Sequence, residues 1–385
     1  VLLALYFFVL FFQTNFKKII YIYLFYFSLG LGFMVKGPAA ILIPGLTAFG
    51  FLVATKRKSM FVDMRIGRGF IILLILIIPW FAAMLGMHGD EFKNHIVGNE
   101  IKNRLVHDTP FSFYYFGVLF RYQLPWSLFF IFAALKQFGF LGFPGKEGIN
   151  FTGRLNKWRG NISSHIKLLF KEGNESVLLC YIWILVCLIL FTLLRVEHSR
   201  YMLPSCAAVA ILTAKLFAGI EKNRKEIGEF GFKFSIVITF IILLVSSLLM
   251  GIGVFIIDSI PIELFVLPVL LFLGALSLAF SSRSGLPLVF PIALALTLTM
   301  ASFSGDVLPY VSRYPMKKFA NNINKEQFNG PIAVYKLGSN RARLGILTGR
   351  MVVTLHSPSE MEEFLRTNQK VYLVIKESDW KKEFY

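Results

Sequence analysis

The side chains best suited to chemistry lie in one polar stretch, His88-Gly-Asp-Glu-Phe-Lys-Asn-His95-Ile-Val-Gly-Asn-Glu100-Ile-Lys-Asn-Arg104-Leu-Val-His107-Asp-Thr-Pro110. Three of the six histidines fall there among Asp, Glu, Lys and Arg, between two segments apolar enough to span a bilayer. A short loop of this kind can simply be solvated, and a long cation at its edge can be an anchor with its stem in lipid and its head in water. The order Arg104, His107, an aromatic run from Phe111 to Tyr115, then Leu124-Pro125-Trp126 is the order expected of a site at a membrane surface. Glu100 and Asp108 read as solvated partners of Lys102 and Arg104, or as groups that orient Arg104. His88, His95 and His107 with Asp90 or Glu91 are of metal-ligand type, so a divalent metal is an alternative; against it stands the lack of a tight spacing such as His-x-x-x-His. Arg121 falls a turn or two inside the next apolar segment, where charge is costly unless it meets a polar cavity or partner. Trp80, Trp126, Tyr114 and Tyr115 read as an aromatic belt at headgroup level or as platforms for a sugar ring.

Composition decides what positions these groups. Hydrophobic residues are 56% of 385, and 42 residues are phenylalanine; mean hydropathy is +0.65. These values exclude a soluble domain with an ordinary core and indicate an all-α polytopic membrane protein. The formal charge of +18 does not point to nucleic acid, because the basic residues fall in short connections between apolar segments. Cys180, Cys187 and Cys206 all lie in apolar segments, so neither a disulfide framework nor a zinc site is indicated.

Apolar segments fall at about 1–13, 19–34, 38–55, 69–87, 111–135, 177–194, 201–218, 232–257, 262–280 and 286–304, which predicts about ten transmembrane segments. Val1 is not a methionine, and the first run is shorter than the roughly 20 residues a spanning helix needs. It reads as the tail of a helix that begins upstream. With connections assigned alternately to two sides, 14–18, 56–68, 136–176, 219–233 and 281–285 carry 19 Lys and Arg, whereas 35–37, 88–110, 195–200 and 258–261 carry 6. The basic set marks the cytoplasmic side of the membrane, which predicts that the 88–110 stretch, Lys36, Arg200 and everything after 304 face outward. The long basic connection 136–176 reads as an amphipathic excursion.

Beyond 304 the pattern changes. Pro331–Leu337, Arg350–Leu355 and Lys370–Ile375 read as strands. Ser357-Pro-Ser-Glu360 reads as a capped helix start, with Pro358 in the first turn and Glu360 completing a capping box. The expectation is a membrane domain over 1–304 and a small external α/β domain over 305–385, too small to be more than marginally stable alone.

Outward polar clusters on a many-helix protein fit a transporter or flippase, an enzyme at the membrane surface, or a scaffold. A transporter usually buries its ionisable groups near the midplane of two similar halves. Here the charges concentrate at segment ends and no internal repeat is evident, which favours the enzyme. Read together, Gly30-Leu-Gly-Phe-Met-Val-Lys36-Gly37-Pro38, Ile78-Pro79-Trp80, Pro110-Phe-Ser-Phe-Tyr-Tyr115 and Arg200-Tyr201-Met-Leu-Pro204 form an ordered set. Over about Leu29 to Ala218 that set resembles the polyprenyl-phosphate-dependent glycosyltransferases of the C-type superfamily, which include bacterial 4-amino-4-deoxy-L-arabinose transferase and the protein O-mannosyltransferases.

The resemblance implies transfer of a sugar from a polyprenyl-phosphate donor to a lipid, glycan or protein acceptor at the outer face, with no nucleic-acid partner. It implies that Arg104 contacts the donor phosphate, a suitable role because a guanidinium fork matches phosphate oxygens and charge develops there as the glycosidic bond breaks. Lys36 matches the family's Lys-Gly-Pro turn, and Tyr201 matches a tyrosine near the donor. His107, Glu100, Arg121, Tyr115 and Arg200 are further site candidates. The family's catalytic carboxylate lies in an external loop expected before residue 1, so no base is assigned. The lysine usual in the arabinose-transferase branch is replaced here by Glu197-His198-Ser199-Arg200, which leaves the sugar open.

Overall fold

The computed structural model describes residues 1–94, 112–141, 151–195, 197–222, 230–256, 266–284, 289–302, 315–326, 330–337, 340–368 and 370–384. Helices occupy all ten apolar segments. In order they are α1 (Leu2–Gln13), α2 (Ile20–Lys36), α3 (Ala39–Ala54), α4 (Ile66–Asn94), α5 (Tyr114–Arg121), α6 (Trp126–Gln137), α7 (Phe151–Leu169), α8 (Glu175–Leu194), α9 (Leu203–Lys222), α10 (Phe230–Ile256), α11 (Val266–Ser284) and α12 (Val289–Ser302). Lipid enforces this outcome, since a helix satisfies its own N–H and C=O groups where no water can. Among the described residues four helices are long and apolar enough to cross a bilayer: Ile66–Asp90, Glu175–Leu194, Ser199–Gly219 and Gly231–Gly253. Leu2–Gln13, Ile20–Lys36, Ala39–Ala54 and Val266–Phe280 are apolar but shorter.

One segment departs from expectation. The apolar run over 111–135 is not one continuous span but two helices, α5 and α6, bent by 112° at residues 122–125. Pro125 is the N-cap of α6; it lacks the N–H needed to prolong α5 and disfavours helical geometry in the residue before it. Arg121 therefore lies at the C-terminal turn of α5, exposed, rather than inside a continuous helix. Its guanidinium lies 5.1 Å from the centre of the Tyr122 ring.

The chain divides into two compact units, Val1–Leu243 with Ala275–Pro291, and Leu244–Gly274 with Ile292–Tyr385. In the first, helices are fitted by shape, as they must be where lipid is as apolar as the helix surface. A Cβ on Gly69 of α4 would come within 2.3 Å of the Tyr26 ring of α2, and one on Gly30 within 2.5 Å of Leu76. Polar contacts fasten the same pair: the Tyr26 hydroxyl donates to the Met64 carbonyl at 3.0 Å, and Arg65 and Arg68 each donate to the Tyr23 hydroxyl at 3.2 Å. Phe8, Phe11, Phe25 and Phe51 fill the space among α1, α2 and α3. α4 meanwhile presents Phe70, Ile71, Ile75 and Ile78 on the outside, a surface suited to lipid and not to water. A second apolar cluster surrounds α8 and takes in Tyr115, Val118, Trp183, Cys187, Phe191 and Val209.

The second unit carries the expected α/β module. α13 (Pro315–Lys325) precedes β1 (Ile332–Tyr335), α14 (Asn340–Thr348), β2 (Val352–Leu355), α15 (Pro358–Thr367), β3 (Tyr372–Val374) and α16 (Glu377–Phe384). The strands form a parallel sheet in the order β2-β1-β3, with Ile332 opposite both Val352 and Tyr372. All four residues of β1 are buried, as a central parallel strand requires. Ser357 caps α15 by accepting from the Glu360 N–H at 3.3 Å, but the Glu360 carboxylate accepts from His356 N–H at 2.9 Å rather than from Ser357, so the box closes one residue earlier than expected. The expected boundary at 304/305 lies outside the described residues.

Candidate functional site

α8 runs for 20 residues without Gly or Pro, and its apolar face is interrupted near the end by Thr192. The helix stops at Arg195, whose backbone is left-handed (φ 51, ψ 23) and whose N–H donates to the Thr192 carbonyl at 3.3 Å. The chain then makes a single 3-10 turn, Ser199–Met202, and enters α9. This reversal brings two elements, α5 and the 3-10 turn, onto Phe191. The Tyr115 ring of α5, 1% exposed, lies 5.7 Å from it, and the Tyr201 ring stacks on it at 5.1 Å and 12°. His198 meets Tyr201 edge-on at 5.6 Å, and its backbone N–H donates to the Tyr115 hydroxyl at 3.3 Å.

Beside this cluster lies a small cleft of about 10 Å³ lined by Ser112, Tyr114, Tyr115, Phe191, Thr192, Arg195 and Glu197. It combines one guanidinium, one carboxylate and four hydroxyl-bearing side chains. The Thr192 hydroxyl is buried and has no hydrogen-bond partner among the described residues, although a helical threonine ordinarily bonds back to its own helix. A guanidinium with hydroxyl donors suits an oxyanion such as a phosphate, and a carboxylate suits a sugar hydroxyl. That volume is about what one water needs, so the cleft admits a single oxygen atom of a larger substrate rather than a whole group.

Of the residues singled out in the sequence, Tyr115 and Tyr201 are brought together here. Arg200 lies in the 3-10 turn, exposed, and does not line the cleft. Lys36 ends α2, exposed, before a turn at Gly37 (φ 73) and Pro38; Ala39, just beyond, packs in the same apolar cluster as Tyr115, Phe191 and Tyr201. Arg121 does not line the cleft either. Arg104, Glu100 and His107 lie outside the described residues, as does His95. Among the described residues no three His, Cys, Asp or Glu are grouped to hold a metal. Sequence reasoning missed Thr192, Arg195 and Glu197 as a set: Arg195 counts there only as loop charge, and nothing in a sequence marks a threonine hydroxyl as unpaired.

Comparison with known proteins extends the picture. No protein-family model matches the chain. It is 29% identical over 192 residues to the undecaprenyl phosphate-alpha-4-amino-4-deoxy-L-arabinose arabinosyl transferase of Edwardsiella ictaluri, covering 48% of this chain and 28% of that protein. An uncharacterized protein of Aquifex aeolicus is 21% identical over 325 residues, covering 84% of this chain and 55% of the other. The structure superposes on ArnT from Cupriavidus metallidurans bound to undecaprenyl phosphate with a TM-score of 0.61, at 15% identity over 94% of this chain and 61% of that one. The fold is that of ArnT. ArnT in its apo state gives a TM-score of 0.60, with 94% of this chain and 64% of the other covered. The ArnT likeness thus reaches well beyond the stretch from Leu29 to Ala218 that carries the sequence resemblance. The chain spans about a quarter to a half of the two curated relatives' length and under two thirds of either solved structure.

Proposed function

We propose that this protein is an integral membrane glycosyltransferase that moves a sugar from a polyprenyl-phosphate donor to a lipid, glycan or protein acceptor on the outer face of a bacterial inner membrane. The observation that carries this reading is the superposition of 94% of the chain on an ArnT structure bound to undecaprenyl phosphate. The polar cleft at the end of α8 supports it, because Arg195 and the surrounding hydroxyls gather groups suited to a phosphate oxygen or a sugar hydroxyl at a segment end. In this reading the acceptor oxygen, losing any proton it carries to a base for which no residue is assigned, attacks the anomeric carbon as the bond from that carbon to the phosphate oxygen breaks, giving inversion. The departing polyprenyl phosphate takes both bonding electrons, and Arg104 stabilises the charge it gains. In the same reading Lys36 and Tyr201 are the further candidates for binding the donor phosphate, and His107, Glu100, Tyr115, Arg121 and Arg200 are other candidates for the site. The charge asymmetry of the connections supports an external C-terminal domain.

The bend between α5 and α6 favours one second reading, transport of a lipid-linked or anionic substrate, since broken helices commonly line transporter sites. One experiment separates the two. The complete gene product, purified in detergent, is incubated with a panel of polyprenyl-phosphate sugars and membrane-lipid extract, and products are identified by mass spectrometry. Release of polyprenyl phosphate coupled to a new glycosylated product is expected. Intact donors, together with movement of lipid-linked substrate across reconstituted bilayers, would replace the transferase with the transporter.

A further inference from the structure

A second cavity, of about 370 Å³, opens at the opposite end of α8, where the last turn of α6, α7, the first turn of α8 and the second half of α9 meet. Along the helix axis it is roughly 20 Å from the cleft at Arg195. Its polar side chains include Lys136, His165, Asn174 and Lys215, and no Asp or Glu lines it among the described residues. Glu175, next to Asn174, is engaged elsewhere: its carboxylate accepts from Gly173 N–H at 2.8 Å and faces Arg57 at 3.8 Å.

The wall is a built one. Just past the end of α6 lies Gly139 (φ +75), where a Cβ would come within 2.8 Å of the His165 ring. The Gly139 carbonyl accepts from Asn161 at 3.0 Å, the Phe140 carbonyl accepts from the Trp158 indole at 3.2 Å, and Asn174 donates to the Leu168 carbonyl at 2.9 Å. These contacts dock α7 against the bundle and set the imidazole beside the lysines' cavity. Leu212 and Leu216 supply apolar lining.

We propose that this cavity binds a phosphate anion, carried either on a membrane phospholipid headgroup or as free inorganic phosphate. Ammonium groups act as point-charge phosphate binders, and amide and imidazole N–H groups complete the donor set. The leucines offer a resting place for the first methylenes of an acyl chain. Exposed Lys157, Arg159 and Lys167 on α7 raise the local concentration of anions near the opening. The proposal is independent of the transfer reaction, because it concerns the other end of α8 and is read by binding alone.

The test uses the delipidated full chain in detergent, titrated in native mass spectrometry with phosphatidylglycerol, with diacylglycerol of the same chains, and with inorganic phosphate. Phosphatidylglycerol or inorganic phosphate is expected to bind, and K136Q/K215Q to weaken that binding about tenfold or more. Loss confined to phosphatidylglycerol identifies a lipid headgroup as the source, and loss confined to inorganic phosphate identifies a soluble one. Leu216→Trp, which fills the cavity and keeps its charges, should weaken the same ligand while size-exclusion profiles stay those of folded protein; it decides the matter should the double variant fail to fold. Unchanged phosphate binding in a folded variant of either kind, failure of both phosphate probes to bind the wild-type chain, or equal binding of diacylglycerol, would overturn the proposal.

Discussion

Thr192 allows the cleft to be tested at a single atom. Its hydroxyl is buried without a partner among the described residues, a state that costs roughly 1–3 kcal/mol unless a ligand supplies the missing hydrogen bond. Thr192→Val is therefore expected to leave the melting temperature unchanged or raised while lowering transfer about tenfold, the weight of one hydrogen bond. A variant with full activity would place the hydroxyl outside the reaction. Arg104→Ala should lower turnover by about 10²–10³, as removal of an oxyanion donor does, with membrane insertion intact; near-normal turnover sinks its phosphate role. Far from the cleft, Tyr372 donates to the Glu326 carboxylate, and this hydrogen bond holds its pKa above the ordinary 10.0. Because the folded value is the raised one, the contact contributes fully below pH 10 and is lost as pH rises through the folded value. Alkaline titration at 295 nm should show Tyr372 ionising late, and Glu326→Gln should return it toward the ordinary value.

Among the elements, the α2–α4 pair is held by steric fit. Gly69→Ala would push a Cβ into the Tyr26 ring, and overpacking of this kind costs roughly 1–3 kcal/mol. A lower melting temperature in detergent is expected, with partial rescue by Tyr26→Ala, since contacting residues do not add independently. In the C-terminal module, Ser357→Ala should remove about 1 kcal/mol, visible as faster amide exchange around α15 in the full chain. Helix positions and this cap were legible because lipid and capping impose strong local rules. The α5–α6 bend was not: Pro125 signalled a boundary, but a proline inside an apolar run, like Pro79 in α4, is also compatible with a continuous helix.

For the molecule as a whole, hydropathy and charge were enough to read the class, while the resemblance rested on the order of short motifs and the α/β module on strand and capping patterns. The cleft was only half legible. Tyr115 and Tyr201 stood out in sequence, whereas Arg195, Glu197 and Thr192 join them through a left-handed turn and a helix reversal that bring together positions about 80 residues apart, such as His198 and Tyr115. The inferred orientation has its own check: single cysteines placed at residues 171 and 199 should label with impermeant maleimide from opposite sides of the membrane, and labelling from one side would dismiss the proposed topology.

α8 joins the two polar ends of the first unit with no glycine or proline along its length, so nothing in its backbone offers a hinge. A helix of this length, about 30 Å, acts as a stiff lever. A tilt of about 5° about one end displaces the other by roughly 2.5 Å, close to the length of a hydrogen bond. A displacement at the Lys215 end would thus reach Thr192 and Arg195 without being absorbed along the way.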